Sequence, residues 1–240
     1  MARHHEMALS HEKRHRGLFS GHGHSGGGTQ VGAAVFRSDS SIAYANRTNT
    51  TIIAPAGIQD NDFLQTVFLI GGPTGLVPAV APPTGFSEIL TAPYPLSVNV
   101  GGFEVQSRLY WKPASGESGN YQFNHLAAST TAYMLAASGA SLVAPTATGG
   151  TDPTGVNPVA PGITTLLNHA LIIFFAQSFD FLGAVTPPGS PPAFTERLDS
   201  GASILYVATG DMVTAGPTGN KTVTVTLDPS AAGLIAIEHG

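Results

Sequence analysis

One segment that occurs twice constrains this chain more than any other feature. Pro187-Pro188-Gly189-Ser190-Pro191-Pro192-Ala193-Phe194-Thr195-Glu196-Arg197-Leu198 has a shorter echo in Pro82-Pro83-Thr84-Gly85-Phe86-Ser87-Glu88-Ile89-Leu90. In each copy a proline-stiffened loop, unable to donate backbone hydrogen bonds at its prolines, runs into a Phe-x-Glu-x-Leu segment with Phe and Leu at period two. That pattern predicts a loop entering a half-buried strand.

The flanks repeat in the same order. Asn61-Asp62-Phe63-Leu64-Gln65-Thr66-Val67-Phe68-Leu69-Ile70 precedes the first copy, and Asn168-His169-Ala170-Leu171-Ile172-Ile173-Phe174-Phe175-Ala176 precedes the second. Both are polar turns entering apolar strands. Leu109-Tyr110 and Leu205-Tyr206 follow inside alternating runs, and then Gly119-Asn120 and Gly219-Asn220 turns open further strands. Each half closes on small-residue apolar runs, Thr131 to Ala137 and Ala232 to Ile237. Two units are too few for a solenoid, which needs about three or more repeats to bury a continuous core. The expectation is an all-β fold: an antiparallel β-sandwich, jelly-roll-like, with two pseudo-repeated halves at about 59–138 and 163–238.

Charge supports a body with a separate arm. Residues 1–37 carry five bases against two acids, a net of +3, whereas the remainder has five bases against thirteen acids, a net of −8. Charged residues make up 10% of the chain, far below the roughly 25% usual for soluble domains, so Thr, Ser, Asn, Gly and Pro must build much of the surface. Cysteine is absent, which excludes disulfides and thiolate metal sites. The basic N-terminus lacks the apolar core of a secretory signal, and no apolar run reaches the ~18 residues of a membrane span. Neither export nor a membrane partner is expected.

Residues 1–30 read as an extended His/Gly-rich N-terminal arm, with 31–240 as the sandwich. The arm holds six of the nine histidines and a glycine-rich run at 21–28. It is too poor in apolar residues to offset its ordering entropy alone. His11 and His15 share a face if helical, and His22 and His24 share one if extended, which makes these four the candidate metal ligands. The reading adopted is a polar tether that holds no metal. Leu18 and Phe19 are the arm's apolar candidates for assembly contacts. The arm has too few bases to make nucleic acid an expected partner.

Further along, Val31 to Phe36 and Thr50 to Ala54 are expected as two strands joined by a Ser/Asn-rich turn. Asn46, Asn49 and Asn220 begin sequon-like triplets and are read as turn residues. Asp60-Asn61-Asp62 reads as a tight turn rather than a calcium loop, since it lacks the glycine and distal glutamate of that motif. Ala144 to Gly162, dense in Pro, Gly and Thr, reads as a long surface connection and a contact surface.

Glu88 and Glu196 are the acid pair a glycosidase would need. They occupy equivalent positions in the echo, so similar structural roles in opposite halves are expected, and no catalytic residue is assigned. His125 and His169 lack the motif context of a catalytic site. Tyr94, Tyr110, Trp111, Tyr121 and Tyr133 form an aromatic set. Exposed together on one face, Trp111 and Tyr121 would make a sugar-stacking platform; otherwise alternate members fill the core.

Taken together, the turn with its apolar strand, Pro-Pro-x-Gly-Phe-x-Glu, Arg108-Leu109-Tyr110-Trp111-Lys112, Gly119-Asn120-Tyr121-Gln122-Phe123 and the terminal small-residue strand resemble β-sandwich domains of bacteriophage virion structural proteins. The likeness covers roughly residues 50–238. Such domains serve in head decoration, head fibres, collars, tail tips and receptor-binding appendages. The resemblance implies a non-enzymatic virion location, other capsid, collar or tail proteins as partners, a homo-oligomer, and no cofactor. A carbohydrate-binding adhesin that meets a host surface glycan is the alternative.

Overall fold

Antiparallel strands and no helix make up the described residues of the computed structural model, which are 32–153, 157–178, 185–198, 204–224 and 230–240. The first half contributes β1 (Val35–Ile53), β2 (Phe63–Pro73), β3 (Ser87–Glu88), β4 (Leu96–Val100), β5 (Phe103–Pro113) and β6 (Asn120–Ser138). The second contributes β7 (Thr146–Asp152), β8 (Val159–Ala160), β9 (Ala170–Ser178), β10 (Phe194–Leu198), β11 (Leu205–Met212), β12 (Lys221–Thr222) and β13 (Ser230–Ile237).

Strand order is the same in both sheets. The first runs β1-β6-β2-β5-β3, with β4 also on β5, and the second runs β7-β13-β9-β11-β10. Backbone landmarks fix the equivalence residue by residue. Asn61 and His169 both take a left-handed φ, +68° and +57°. Asn61 N–H donates to Ala114 O at 2.9 Å, as His169 N–H donates to Met212 O at 2.8 Å. Phe63 and Leu171 therefore correspond, and through them Pro113 with Asp211 and Ala137 with Ile237. The sequence matches Asn61 to Asn168; the structure matches it to His169. Equivalence also starts before residue 59, because β1 and β7 hold the same edge position.

Three apolar clusters make the layers. One lies between the sheets and joins Phe63, Val67, Leu69, Leu109 and Tyr133 of the first to Ile173, Phe175, Val207 and Ile235 of the second. The outer face of the first sheet carries Leu64, Phe68, Tyr110 and Met134 under Ile52, Phe86, Tyr121 and Phe123. That of the second carries Ile172, Phe174, Tyr206 and Leu234 under Ala160, Ile163, Val185 and Val223. Central strands are thus buried on both faces. This is why β2, β9 and β13 read as continuous apolar runs rather than half-buried alternation.

Two expected loops are strands. The Ser/Asn-rich stretch after Phe36 does not reverse the chain: β1 continues through it for 19 residues, paired to β6. Its turn residues mark a bend instead, with Asn46 at φ +49° and register shifts on either side of Arg47. Asn49 pairs with Asn124 inside the ladder. The bend folds the end of β1 over the sheet, where Ser40 Oγ donates to Ile53 O and Ser38 Oγ to Ala56 O, both at 2.6 Å. Residues 144–162, expected as surface connection, contain β7 and β8. Gly150 is needed there, because a Cβ would collide with the Val159 carbonyl as the chain folds back.

Candidate functional site

Both halves offer one end of the sandwich, where β1, β2 and β9 begin and β6, β11 and β13 finish. Loops from across the chain are tied together there. The Glu238 carboxylate accepts from Leu166 N–H at 2.8 Å and Leu167 N–H at 3.1 Å, while its backbone oxygen accepts from Ser141 N–H at 2.8 Å. Asn168 Oδ1 accepts from Ala215 N–H at 2.7 Å. Ala34 N–H donates to His169 O at 3.0 Å, so the first described residues enter the body at this face.

Exposed apolar side chains gather on these loops: Leu166 at 79%, Val143 at 64% and Val213 at 59% exposure, with Leu142 and Leu167 beside them. The backbone of Leu166 and Leu167 is pinned by Glu238, and Ser141, bonded to Glu238 O, precedes Leu142 and Val143. Sequence reading missed them because the short pairs Leu142-Val143 and Leu166-Leu167 in Thr/Gly/Pro loops carry no period. Two of the clefts at this face border the start of β1. One holds Arg37 and Asp62, paired at 2.7 Å, with Asp62 buried at the Asn61 turn. The other lies between the start of β1 and strands β10 and β11.

The aromatic candidates are not brought together. Trp111 is half-buried on the inner face of the first sheet, stacked on Phe63 with centroids 5.4 Å apart and planes 6° apart. Tyr121 is buried in the outer layer, edge-on to Phe86 at 5.2 Å. The sheet itself separates them, so they form no common platform. Glu88 pairs with Arg108 at 2.9 Å in the first half, while Glu196 is exposed on β10 opposite Ala208. His125 is buried against Thr50 at 2.9 Å, and His169 meets Asp211 at 3.1 Å. His11, His15, His22, His24, Leu18 and Phe19 lie outside the described residues. Among the described residues, no three His, Asp or Glu side chains cluster as metal ligands.

No family model, curated protein or solved structure matches the chain.

Ionised groups in the first half act as straps. Glu117 accepts from Lys112 Nζ and Tyr121 OH, and from Ser115 N–H at 3.1 Å. Lys112 Nζ also lies 5.6 Å from the Phe86 centroid and 5.7 Å from that of Tyr121. Burial alone would raise the Glu117 pKa; hydrogen bonds from Lys112, Tyr121 and Ser115 outweigh it and hold the carboxyl below its ordinary range. Glu104 is lowered likewise, burial being outweighed by Gly75 N–H, Ser97 and Gln106.

A carboxyl depressed in the folded state contributes stability above the unfolded pKa of about 4.3 and loses it as pH falls through the folded value. Glu117→Gln is expected to cost about 1–3 kcal/mol at neutral pH. Thermal melts of the two proteins should converge as pH is lowered toward about 3. A constant difference across that range would show that the charge of Glu117 is not what stabilises the strap.

Proposed function

We propose that this chain is a non-enzymatic structural subunit of a bacteriophage particle, displaying the two-sheet body and attached through the side at which its N-terminal residues enter. The observation that carries the reading is the exposed apolar rim of Leu142, Val143, Leu166, Leu167 and Val213 around that entry, in which Leu166 and Leu167 are pinned by Glu238. Apolar side chains held in water by a fixed backbone gain free energy when a neighbour covers them. Further support comes from Glu104, Lys112 and Glu117 of the first half, which are engaged in straps, and from the sequence resemblance to virion sandwich domains.

Mass spectrometry of gradient-purified particles tests this directly. A fixed stoichiometry of this chain to the major coat subunit is expected, and it should be lost for Leu166→Glu with Leu167→Glu although the variant still melts cooperatively. Particles that lack the chain, or that incorporate the double variant at the same ratio, would overturn the reading.

A further inference from the structure

The two halves differ at one equivalent place, and the difference opens a cleft. In the first half Ile89 alone stands opposite Leu109, to whose carbonyl it donates at 2.9 Å. In the second, the register between Glu196 and Leu198 slips, so that Arg197 and Leu198 share Val207, the equivalent of Leu109. Leu198 packs against the inter-sheet core as Ile89 does. Arg197 is the additional residue. Bulges of this kind re-aim a side chain at a sheet edge.

What surrounds the insertion has also changed. The first half fills the position with the Phe63–Trp111 stack. The corresponding pair in the second half is Leu171 and Thr209, both smaller. The resulting cleft, of about 350 Å³, lies between the start of β1 and strands β10 and β11. That volume is within the usual range for small-molecule sites. Its far wall is supplied by Phe36 of the other sheet.

Arg197 is held rather than free to wander. Its guanidinium carbon lies 3.7 Å from the Phe36 ring centroid, and its Nε donates to Thr209 Oγ1 at 2.7 Å. Stacking and one hydrogen bond fix the plane of the fork, the arrangement that suits recognition of a carboxylate. The cleft is lined further by Thr195, Thr209, Asp211 and Leu171, with Thr209 Oγ1 at Arg197 and Asp211 Oδ2 at His169. Hydroxyl donors and a carboxylate acceptor are wasted on a bare anion. They match a ligand that carries both an acid group and several hydroxyls.

We propose that the cleft beside Arg197 is a binding site for an acidic monosaccharide unit, a uronic or sialic acid type of sugar, with its carboxylate on Arg197. The site does not depend on the virion reading. Asp211, paired with His169, would accept sugar hydroxyls, and Leu171 would face the sugar's C–H surface.

Titration of the full chain with glucuronate, N-acetylneuraminate and neutral glucose, followed by amide chemical shifts, tests the proposal. Either acid is expected to bind with a Kd of about 1 mM, with shifts at Thr195, Thr209 and Asp211, and glucose about tenfold more weakly. Arg197→Met keeps the length and loses the charge, and it should abolish the preference for acid over glucose. Arg197→Lys, which keeps charge without the fork, should retain part of it. Thr209→Val is the second probe, isosteric with threonine, and in a variant that melts as the wild type does it should weaken acid binding by releasing the guanidinium plane. Equal binding of acid and neutral sugars, shifts located elsewhere, unchanged affinity in Arg197→Met, or no binding of either acid below about 10 mM would each overturn the site.

Discussion

Phe175→Ala is expected to lower the unfolding free energy by about 3–5 kcal/mol, and to do so for the whole body rather than for the second half alone. Phe175 is completely buried in the cluster that both sheets share. Among the described residues neither sheet has another cover for this face: without its partner the first would expose Val67, Leu69, Leu109 and Tyr133 together. The only tryptophan, Trp111, belongs to the first half and packs against that same cluster. It therefore reports on one half while the substitution sits in the other. Urea unfolding followed by Trp111 fluorescence and by far-ultraviolet circular dichroism should give coincident transitions, both displaced to lower denaturant. A fluorescence midpoint that stays at the wild-type value would mean that the halves unfold separately, and that the inter-sheet cluster does not couple them.

The order of the central strands was legible because β2, β9 and β13 are apolar runs, and loops can change length without disturbing that order, whereas the polar β7 left no such trace. Registers were harder to read. The sequence aligns Leu109-Tyr110 with Leu205-Tyr206, but the ladders pair Tyr110 with Glu88 and Ala208 with Glu196, so Tyr110 corresponds to Ala208. Both tyrosines still pack on the outer face of their own sheet. A shift of two residues preserves the face and leaves no trace in a period-two pattern. Leu90, expected on one face with Phe86, lies beyond the two-residue strand β3 and is 70% exposed, and Ile89 packs in the inner cluster instead.

Burial on both faces explains the loss of information about the site. Trp111 and Tyr121 are ten residues apart and both lie in strands, but whether they share a surface depends on which layer each strand faces. That is decided by the fold-back of β6 onto the first sheet, a tertiary event marked in sequence only by Asn46 and its neighbours on the paired strand. Turn chemistry there signalled a bend, and it was the continued pairing with β6 that kept the strand intact. Arg197 was equally quiet in sequence. Its significance comes from the comparison with Ile89, which needs the ladders of both halves before the inserted residue can be seen.

Gly233→Ala should destabilise the body by about 1–3 kcal/mol, although replacing a strand glycine normally helps by restricting the unfolded chain. Gly233 pairs across the ladder with Phe175, and a Cβ built on it would lie about 2.5 Å from Phe175 Cε1 and Cζ. Tyr94 Oη approaches the same point. The missing side chain lets Phe175 lie across β13, and it leaves room for Tyr94 of the first half to donate to Thr148 O of β7 at 2.6 Å. Coupling between these positions is the measurable consequence. In a Phe175→Leu background, which removes the ring atoms nearest the new methyl, the cost of Gly233→Ala should shrink by about 0.5–3 kcal/mol. Tyr94→Phe should relieve the remainder while losing about 1 kcal/mol for the Thr148 hydrogen bond. If Gly233→Ala and Phe175→Leu prove additive within about 0.5 kcal/mol, the glycine is not there for the ring. Strong coupling would instead locate the contact between the halves at an aromatic ring lying over a bare stretch of backbone, which explains why β13 carries Gly233 where a central strand would ordinarily carry a larger residue.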